Sequence, residues 1–338
     1  MSVYKNAVVM YERKDEKICV SINKYSEREI TYRIYSAKES KLLSEWLEFS
    51  RKHNMYRGKK IDANCQFLKI ADVRWEDIIL PADVISVVRS HVDELFVYSE
   101  YLKANNMTLK RGVILSGEPG TGKTMLCKAM AREIDGTVIY ALPSHLERSG
   151  DIARVCEMAK DLAPCMLIIE DIDWLAEDRE QTYSAGAVIE LMNYLDGVQE
   201  FKDIVTLATT NNHEKIEKAV ANRPGRFDRV IDIPKPDQTC RERMFKKFTE
   251  KLKFEGEIDW AKVIRKTDGL SGSHVKDVCK TIVLHAIRSK STDENKIAIV
   301  KQSHFDSALA EVNNEKFSSF KKASGKKSRI GFGADDDS

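Results

Sequence analysis

The stretch GEPGTGKTML, Gly117 to Leu126, follows directly on the apolar run GVILS. Gly117, Gly122, Lys123 and Thr124 satisfy G-x-x-x-x-G-K-[ST], set between a strand-like run and a stretch of helical spacing, as that motif requires. Glycines permit a tight loop whose N–H groups all face inward. The helix that follows adds the positive end of its dipole. Lys123 is placed to reach terminal phosphates, and the Thr124 hydroxyl to ligate Mg²⁺. Gly117, Glu118, Pro119, Gly120, Thr121, Gly122, Lys123, Thr124 and Met125 are therefore read as a cradle for a nucleoside triphosphate.

What surrounds the cradle fixes the fold class. From about residue 71 to 235, GVILSG, TVIYAL, CMLIIED and IVTLATTN are short, continuous and apolar, as strands of a parallel sheet covered on both faces are. KTMLCKAMAREI and AGAVIELMNYL between them have helical spacing, so a doubly wound parallel sheet follows. Residues 236–312 read as a helical lid, with TCRERMFKKFTEKL and SGSHVKDVCKTIVLHAIRSK as its clearest elements and Ser271 or Ser273 as a cap. Residues 1–70 read as a small α+β module. KICVSINKY and EITYRIYS alternate with period two, and Leu42, Leu43, Trp46 and Leu47 share one helical face. Residues 313–338 form a charged tail, six Lys/Arg between Lys316 and Arg329 and then GADDDS, with the composition of a disordered segment.

A second apolar strand, in PCMLIIEDID, ends in acids. In P-loop enzymes a carboxylate here holds Mg²⁺ through its water, and its neighbour polarises the attacking water. Glu170 is assigned to the metal side and Asp171 to the water side. In TLATTNN, Asn211 is placed to touch the γ-phosphate or that water.

Composition narrows the partners. The formal net charge is only +2, so the chain is neither an obvious nucleic-acid coat nor a polybasic membrane binder. No apolar run approaches the ~20 residues that span a bilayer, and no secretory signal is read at the N-terminus. Seven scattered cysteines without a C-x-x-C pair, and seven histidines without an H-x-x-x-H pair, point to reduced thiols in the cytoplasm and against a zinc protease.

Taken in order, GEPGTGKT, LIIEDID, LMNYLDGV, LATTNN, NRPGRFDR and GLSGSHV resemble the AAA clade of AAA+ ATPases over roughly Trp75 to Val312. RPGRFDR is the most specific of these. LSGEPGTGKT and EDID look closest to bacterial or phage AAA proteins and to mitochondrial AAA chaperones, without the membrane anchor of the latter. The resemblance implies an ATPase using ATP and Mg²⁺, assembled as a homo-hexameric ring. Arg226 and Arg229 match arginine fingers that reach the neighbouring subunit's nucleotide; as alternatives they pair with Asp228 or Asp232. WEDIILP matches the adenine-packing segment, making Asp77 and Ile78 base contacts, and GLSGSHV puts Gly272 and Ser273 near base or ribose.

Two departures from the family pattern stand out. The usual Asp-Glu pair reads Glu170-Asp171, which shortens the water-side carboxylate by one methylene and implies slow hydrolysis. The region expected to carry an aromatic gripping loop reads PSHLERSGD, with Leu146 and no aromatic; Tyr183 in the next loop faces either the channel or the surface. The leading expectation is a remodeller of a protein partner chosen by the N-terminal module. A nucleic-acid motor, drawing on the tail and RGKK at 57–60, and a nucleotide-gated scaffold with weak turnover are the alternatives.

Overall fold

The computed structural model describes residues 6–13, 16–24, 30–36, 41–92, 96–107, 110–148, 150–173, 190, 191, 194, 203–212 and 229–312. The chain opens with an antiparallel meander of β1 (Asn6–Arg13), β2 (Glu16–Lys24) and β3 (Ile30–Ser36), followed by α1 (Lys41–Lys52). β2 and β3 fall on the two alternating runs, and β1 adds a strand that the sequence reading did not assign. Along β1, Val8 and Met10 lie two residues apart and are both exposed, as same-face residues of a half-covered sheet are.

The central unit is a six-stranded parallel sheet, ordered β4 (Lys60–Asp62), β6 (Thr137–Ala141), β7 (Cys165–Ile169), β8 (Ile204–Thr210), β5 (Lys110–Ser116) and β9 (Arg229–Asp232). α2 (Ala82–His91), α3 (Ser99–Ala104), α4 (Lys123–Glu133) and α5 (Asp151–Leu162) belong to the same unit. The sheet carries a buried cluster on each face. One packs α5 against Ile114, Ile139, Leu167 and Ala208; the other packs α2 and α4 against Val113, Leu115, Ile168 and Leu207. That two-sided burial is why β6, β7 and β8 are buried at every position and read as unbroken apolar runs.

The boundary expected at residue 70 lies later than the pairing places it. β4 pairs in register with β6, Ile61 opposite Ile139, so the parallel sheet already includes Lys60. The segment before it is pinned too: the Arg57 guanidinium donates to the carbonyls of Ala163 (2.7 Å) and Asp161 (3.1 Å), and the Lys60 ammonium to those of Ile134 and Gly136. A three-residue edge strand flanked by charges has no apolar run to announce it. These contacts also occupy two cations of the RGKK cluster.

The lid comprises α6 (Gln238–Thr249), α7 (Trp260–Lys266), α8 (Gly272–Arg288), a helical stretch over residues 302–312, and a short parallel pair of β10 (Lys253–Phe254) and β11 (Ile299–Val300). Phe245, Val275, Ile282 and Phe305 are buried in its core, and Trp260 meets Phe305 edge-on at 5.4 Å between ring centroids. Asp237 caps α6 by accepting from the Cys240 N–H at 2.7 Å. Ser271 takes the N-cap position of α8, but its hydroxyl pairs with Ser273 and His274 rather than the helix backbone. No helix among the described residues is long and apolar enough to cross a membrane. The charged tail expected over 313–338 lies outside the described residues.

Leu146 belongs to the core and not to a gripping surface. It is 3 % exposed and packs in the α5-side cluster. Its loop is braced: the Leu142 N–H donates to His145 Nδ1, and the Arg154 guanidinium to the carbonyls of Ala63 and His145. Leu146→Ala should therefore cost about 2–5 kcal/mol of unfolding free energy in urea titration; a loss under about 0.5 kcal/mol would mark it as a surface residue.

Candidate functional site

Three neighbouring strands, β7, β8 and β5, end together at the C-terminal edge of the sheet, where ligands of open α/β sheets bind. β5 continues into the glycine loop, β7 into Glu170 and Asp171, and β8 into Asn211. The pairing of Ser116 with Thr210 sets the loop beside the polar end of β8, and the Gly117 N–H donates to the Thr210 carbonyl at 3.3 Å. A cleft of about 570 Å³ opens there. Pro119, Gly120, Thr121, Gly122, Lys123, Thr124 and Met125 form its floor, Asp171 and Asn211 one wall, Asp77 and Ile78 another, and Gly272 and Ser273 close it from the lid.

Lys123 organises the floor. Its residue is 5 % exposed, and its ammonium donates to the Gly117 carbonyl (2.7 Å), the Glu118 carbonyl (3.1 Å) and Asn211 Oδ1 (2.8 Å). Burial pushes its pKa below the usual lysine value, against the pull of the Asp171, Asp173 and Glu170 carboxylates. Asn211 passes the link on, its Nδ2 donating to Asp171 Oδ1 at 3.2 Å and its backbone N–H to Asp173 Oδ1 at 3.1 Å. Asp171 adopts a left-handed backbone, φ +49°, with its N–H held by the Thr209 hydroxyl at 2.8 Å. Aspartate tolerates that region better than longer side chains do.

Glu170 stands behind the cleft wall. It is 6 % exposed and accepts a hydrogen bond from the Tyr140 hydroxyl, whose own ionisation burial pushes far up, so the phenol stays a donor. Thr124, by contrast, is exposed at the start of α4. Gly117 and Glu118 do not line the cleft; their carbonyls hold Lys123, and Gly117 lies so close to the Ile233 carbonyl that a Cβ would sit 2.4 Å from it. Gly120, φ +78°, is pressed against the lid: a Cβ there would meet Ser273 Oγ at 1.9 Å, and the Ser273 N–H donates to the Gly120 carbonyl at 3.1 Å. Loop and lid are thus hydrogen-bonded directly.

Arg229 does not join this cleft. It begins edge strand β9 opposite Val113, three residues back from the Ser116–Asp232 pair and so roughly 10 Å from the loop edge. It is exposed, with no ion pair among the described residues. Arg226 and Tyr183 lie outside the described residues.

Several contributors escaped the sequence reading. Val73, Ile79, Leu80, Met244, Lys247, Phe248 and Lys276 also line the cleft. Met244 and Phe248 are four apart on α6 and so share a face, a signal present in the sequence but indistinguishable there from core spacing. The Lys247 ammonium pairs with Asp77 and, with the Arg74 N–H, holds that carboxyl below its usual range. Tyr140 and Thr209 act through partners on adjacent strands, which no local motif records.

A parallel α/β sheet with this loop at its edge and a helical lid over it is a P-loop nucleotide-binding unit. Residues 113–235 match the family described as "ATPase family associated with various cellular activities (AAA)". Residues 113–235 are thus an AAA ATPase domain. The chain is 30 % identical over 250 residues to proteasome-activating nucleotidase 1 of Haloferax volcanii, covering 70 % of this chain and 61 % of that protein. It is 30 % identical over 228 residues to the cell division cycle protein 48 homolog of Archaeoglobus fulgidus, covering 65 % and 31 %. To the proteasome-activating nucleotidase of Methanocaldococcus jannaschii it is 26 % identical over 299 residues, 79 % of this chain and 69 % of that one. The matched region thus spans about three fifths of the two halophile nucleotidases found.

One contact is at odds with anion binding. Glu118 brings a carboxylate into the loop, and Lys235 pairs with it at 2.7 Å, the Glu118 side chain 64 % and the Lys235 side chain 38 % exposed. Lys235→Ala should weaken triphosphate binding roughly two- to fivefold in a fluorescence titration at low salt, and adding Glu118→Gln should restore it. Additive losses in the double variant would show that the pair does not screen the loop.

Proposed function

We propose that the protein hydrolyses ATP with Mg²⁺ at sites between the subunits of a homo-hexameric ring, and uses the cycle to remodel, disassemble or move a protein partner. The observation that carries this reading is the linked set Lys123, Asn211 and Asp171 on the floor and wall of the same cleft. A buried ammonium with only neutral hydrogen-bond acceptors is poised to exchange them for phosphate oxygens, at no new desolvation cost. Loss of Lys123 from Asn211 then frees the amide to orient a water, with Asp171 as the base that takes its proton. Adenine is assigned to the apolar end, against Ile78 and the Asp77 backbone, with Gly272 and Ser273 toward the ribose.

Mg²⁺ suits the donors present. Thr124 offers an exposed hydroxyl beside Lys123, and Glu170 a carboxylate whose described side-chain hydrogen bond is to a neutral phenol. We assign Thr124 as a direct ligand and Glu170 as a holder through water. When bound, the ion neutralises charge on the phosphates and polarises them toward attack.

Arg226 and Arg229 are proposed as the fingers that complete a neighbour's site; Arg229 on an exposed sheet edge, outside its own cleft, supports that direction. Such a residue is worth about 10³–10⁵ in rate where present. The N-terminal meander with α1 is proposed as the partner-selecting module, and the cytoplasm as the setting. The names of the relatives describe nucleotidases that activate proteasomes and a cell-division-cycle protein; nucleotide hydrolysis coupled to a protein partner is what we carry over. A nucleic-acid motor gains less from RGKK, since Arg57 and Lys60, two of its three cations, are bound to backbone carbonyls. The second reading, an ATP-gated scaffold with weak turnover, draws on the short Asp171 side chain and its hold by Asn211.

Asp171→Asn should bind ATP with Mg²⁺ normally and lose roughly 10²-fold or more in steady-state phosphate release; wild-type turnover would refute the assignment of the base. The shared-site geometry has a separate test. Lys123→Ala and Arg226→Ala chains, each inactive alone, should recover turnover when co-assembled, because mixed boundaries contain one intact loop facing one intact finger. No recovery in verified mixed assemblies would rule out sites shared between subunits.

A further inference from the structure

We propose that the ion pair of Asp77 and Lys247 is a latch across the base end of the cleft, which holds the lid against the adenine-side segment and sets how long a nucleotide stays bound; this rests on the nucleotide reading of the cleft. The segment Trp75–Leu80 touches both the sheet unit and the lid. Trp75, Ile78 and Leu80 are buried in the cluster that holds α2 and α4, whereas Ile79 is buried in the lid cluster with Met244 and Phe245. Asp77, two residues before Ile79, also meets the lid. Its carboxylate takes the Lys247 ammonium of α6, 170 residues further along the chain.

The two partners are prepared differently. The Arg74 N–H donates to Asp77 Oδ2 at 2.9 Å and closes a short 3₁₀ turn over Trp75–Asp77, so one carboxylate oxygen is fixed by the turn and the other is left for Lys247. Lys247 follows Met244 by three residues and precedes Phe248 on α6, and all three line the cleft. Of the pair, the lysine is the partner that loses most rotamer freedom on pairing. A second polar tie fastens the lid at the phosphate end, where the Ser273 N–H donates to the Gly120 carbonyl at 3.1 Å. The cleft is thus spanned at one end by a backbone hydrogen bond and at the other by a charge pair.

The size of the effect follows from exposure. Both side chains are 36 % exposed, so parting them returns two charges to water that already reaches them, and salt screens their attraction. A contact of that strength does not decide whether nucleotide binds. It slows the lid opening that precedes release, and it makes that step sensitive to ionic strength.

Release of N-methylanthraniloyl ADP from the full-length chain, chased with excess unlabelled ADP in a stopped-flow instrument at low and at high potassium chloride, tests this. Asp77→Asn, which keeps an acceptor for the Arg74 N–H, and Lys247→Gln should each speed release roughly two- to fivefold at low salt. The double variant should be no faster than the faster single one, because each change removes the same interaction. At high salt the gap between wild type and variants should close. Lys262→Gln breaks a pair of similar exposure inside the lid, with Asp306, and should release at the wild-type rate. Wild-type release in both single variants, accelerations that multiply in the double variant, or a gap that persists at high salt would each overturn the latch while leaving the cleft a nucleotide site. Intact binding of the labelled ADP in Lys123→Ala would instead remove the nucleotide reading beneath it.

Discussion

The cleft depends on one buried cation. Lys123 is 5 % exposed as a residue, and an ammonium drawn out of water costs several kcal/mol unless acceptors replace the water. Here the replacements come from the Gly117 and Glu118 carbonyls and from the Asn211 side chain. Two belong to the loop that Lys123 itself ends, and the third to a strand 88 residues further along the chain. The loop can hold its lysine in this way only if β8 lies beside β5 with Thr210 opposite Ser116. Strand order and local loop geometry are thus mutually dependent.

The same constraint reaches the catalytic candidates. Asn211 accepts from Lys123 and donates to Asp171, so a change at the ammonium is felt at the carboxylate through one amide. Asp171 is further fixed by its left-handed backbone and by the Thr209 hydroxyl. The family pattern has a glutamate at this point, and the shorter residue fits a backbone conformation in which a compact polar side chain is better tolerated. Glu170, one residue earlier, faces inward to Tyr140. Adjacent acids therefore occupy opposite environments, as alternating directions at a strand end require.

Much of this was legible in the sequence, for identifiable reasons. β5 to β8 announced themselves because burial on both faces demands continuous apolar residues. The glycine loop was legible because Gly117 and Gly120 meet backbone or lid atoms at distances that exclude a Cβ, while Gly122 takes a positive φ of +110°. β4 and β9 were not, since edge strands of three and four residues need neither alternation nor an apolar run. For the same reason residues 60–70 read as part of the preceding module. Leu146, in the region where a gripping aromatic was expected, is core and packs in the cluster that contains α5. Arg57 and Lys60, read within RGKK as slight support for a nucleic-acid partner, instead donate to carbonyls of neighbouring segments.

By itself, then, the sequence determined the chemistry of the loop, the apolar strands that bracket it and the order of motifs that marks the AAA family, because each depends on residues within a few positions of one another. The tertiary structure decided which distant side chains complete the site: Asn211 on Lys123, Tyr140 on Glu170, and Met244, Phe248 and Lys276 from the lid. Those partners are selected by strand order and by lid packing against Gly120. Such relations join positions far apart in the chain and leave no fixed spacing to read.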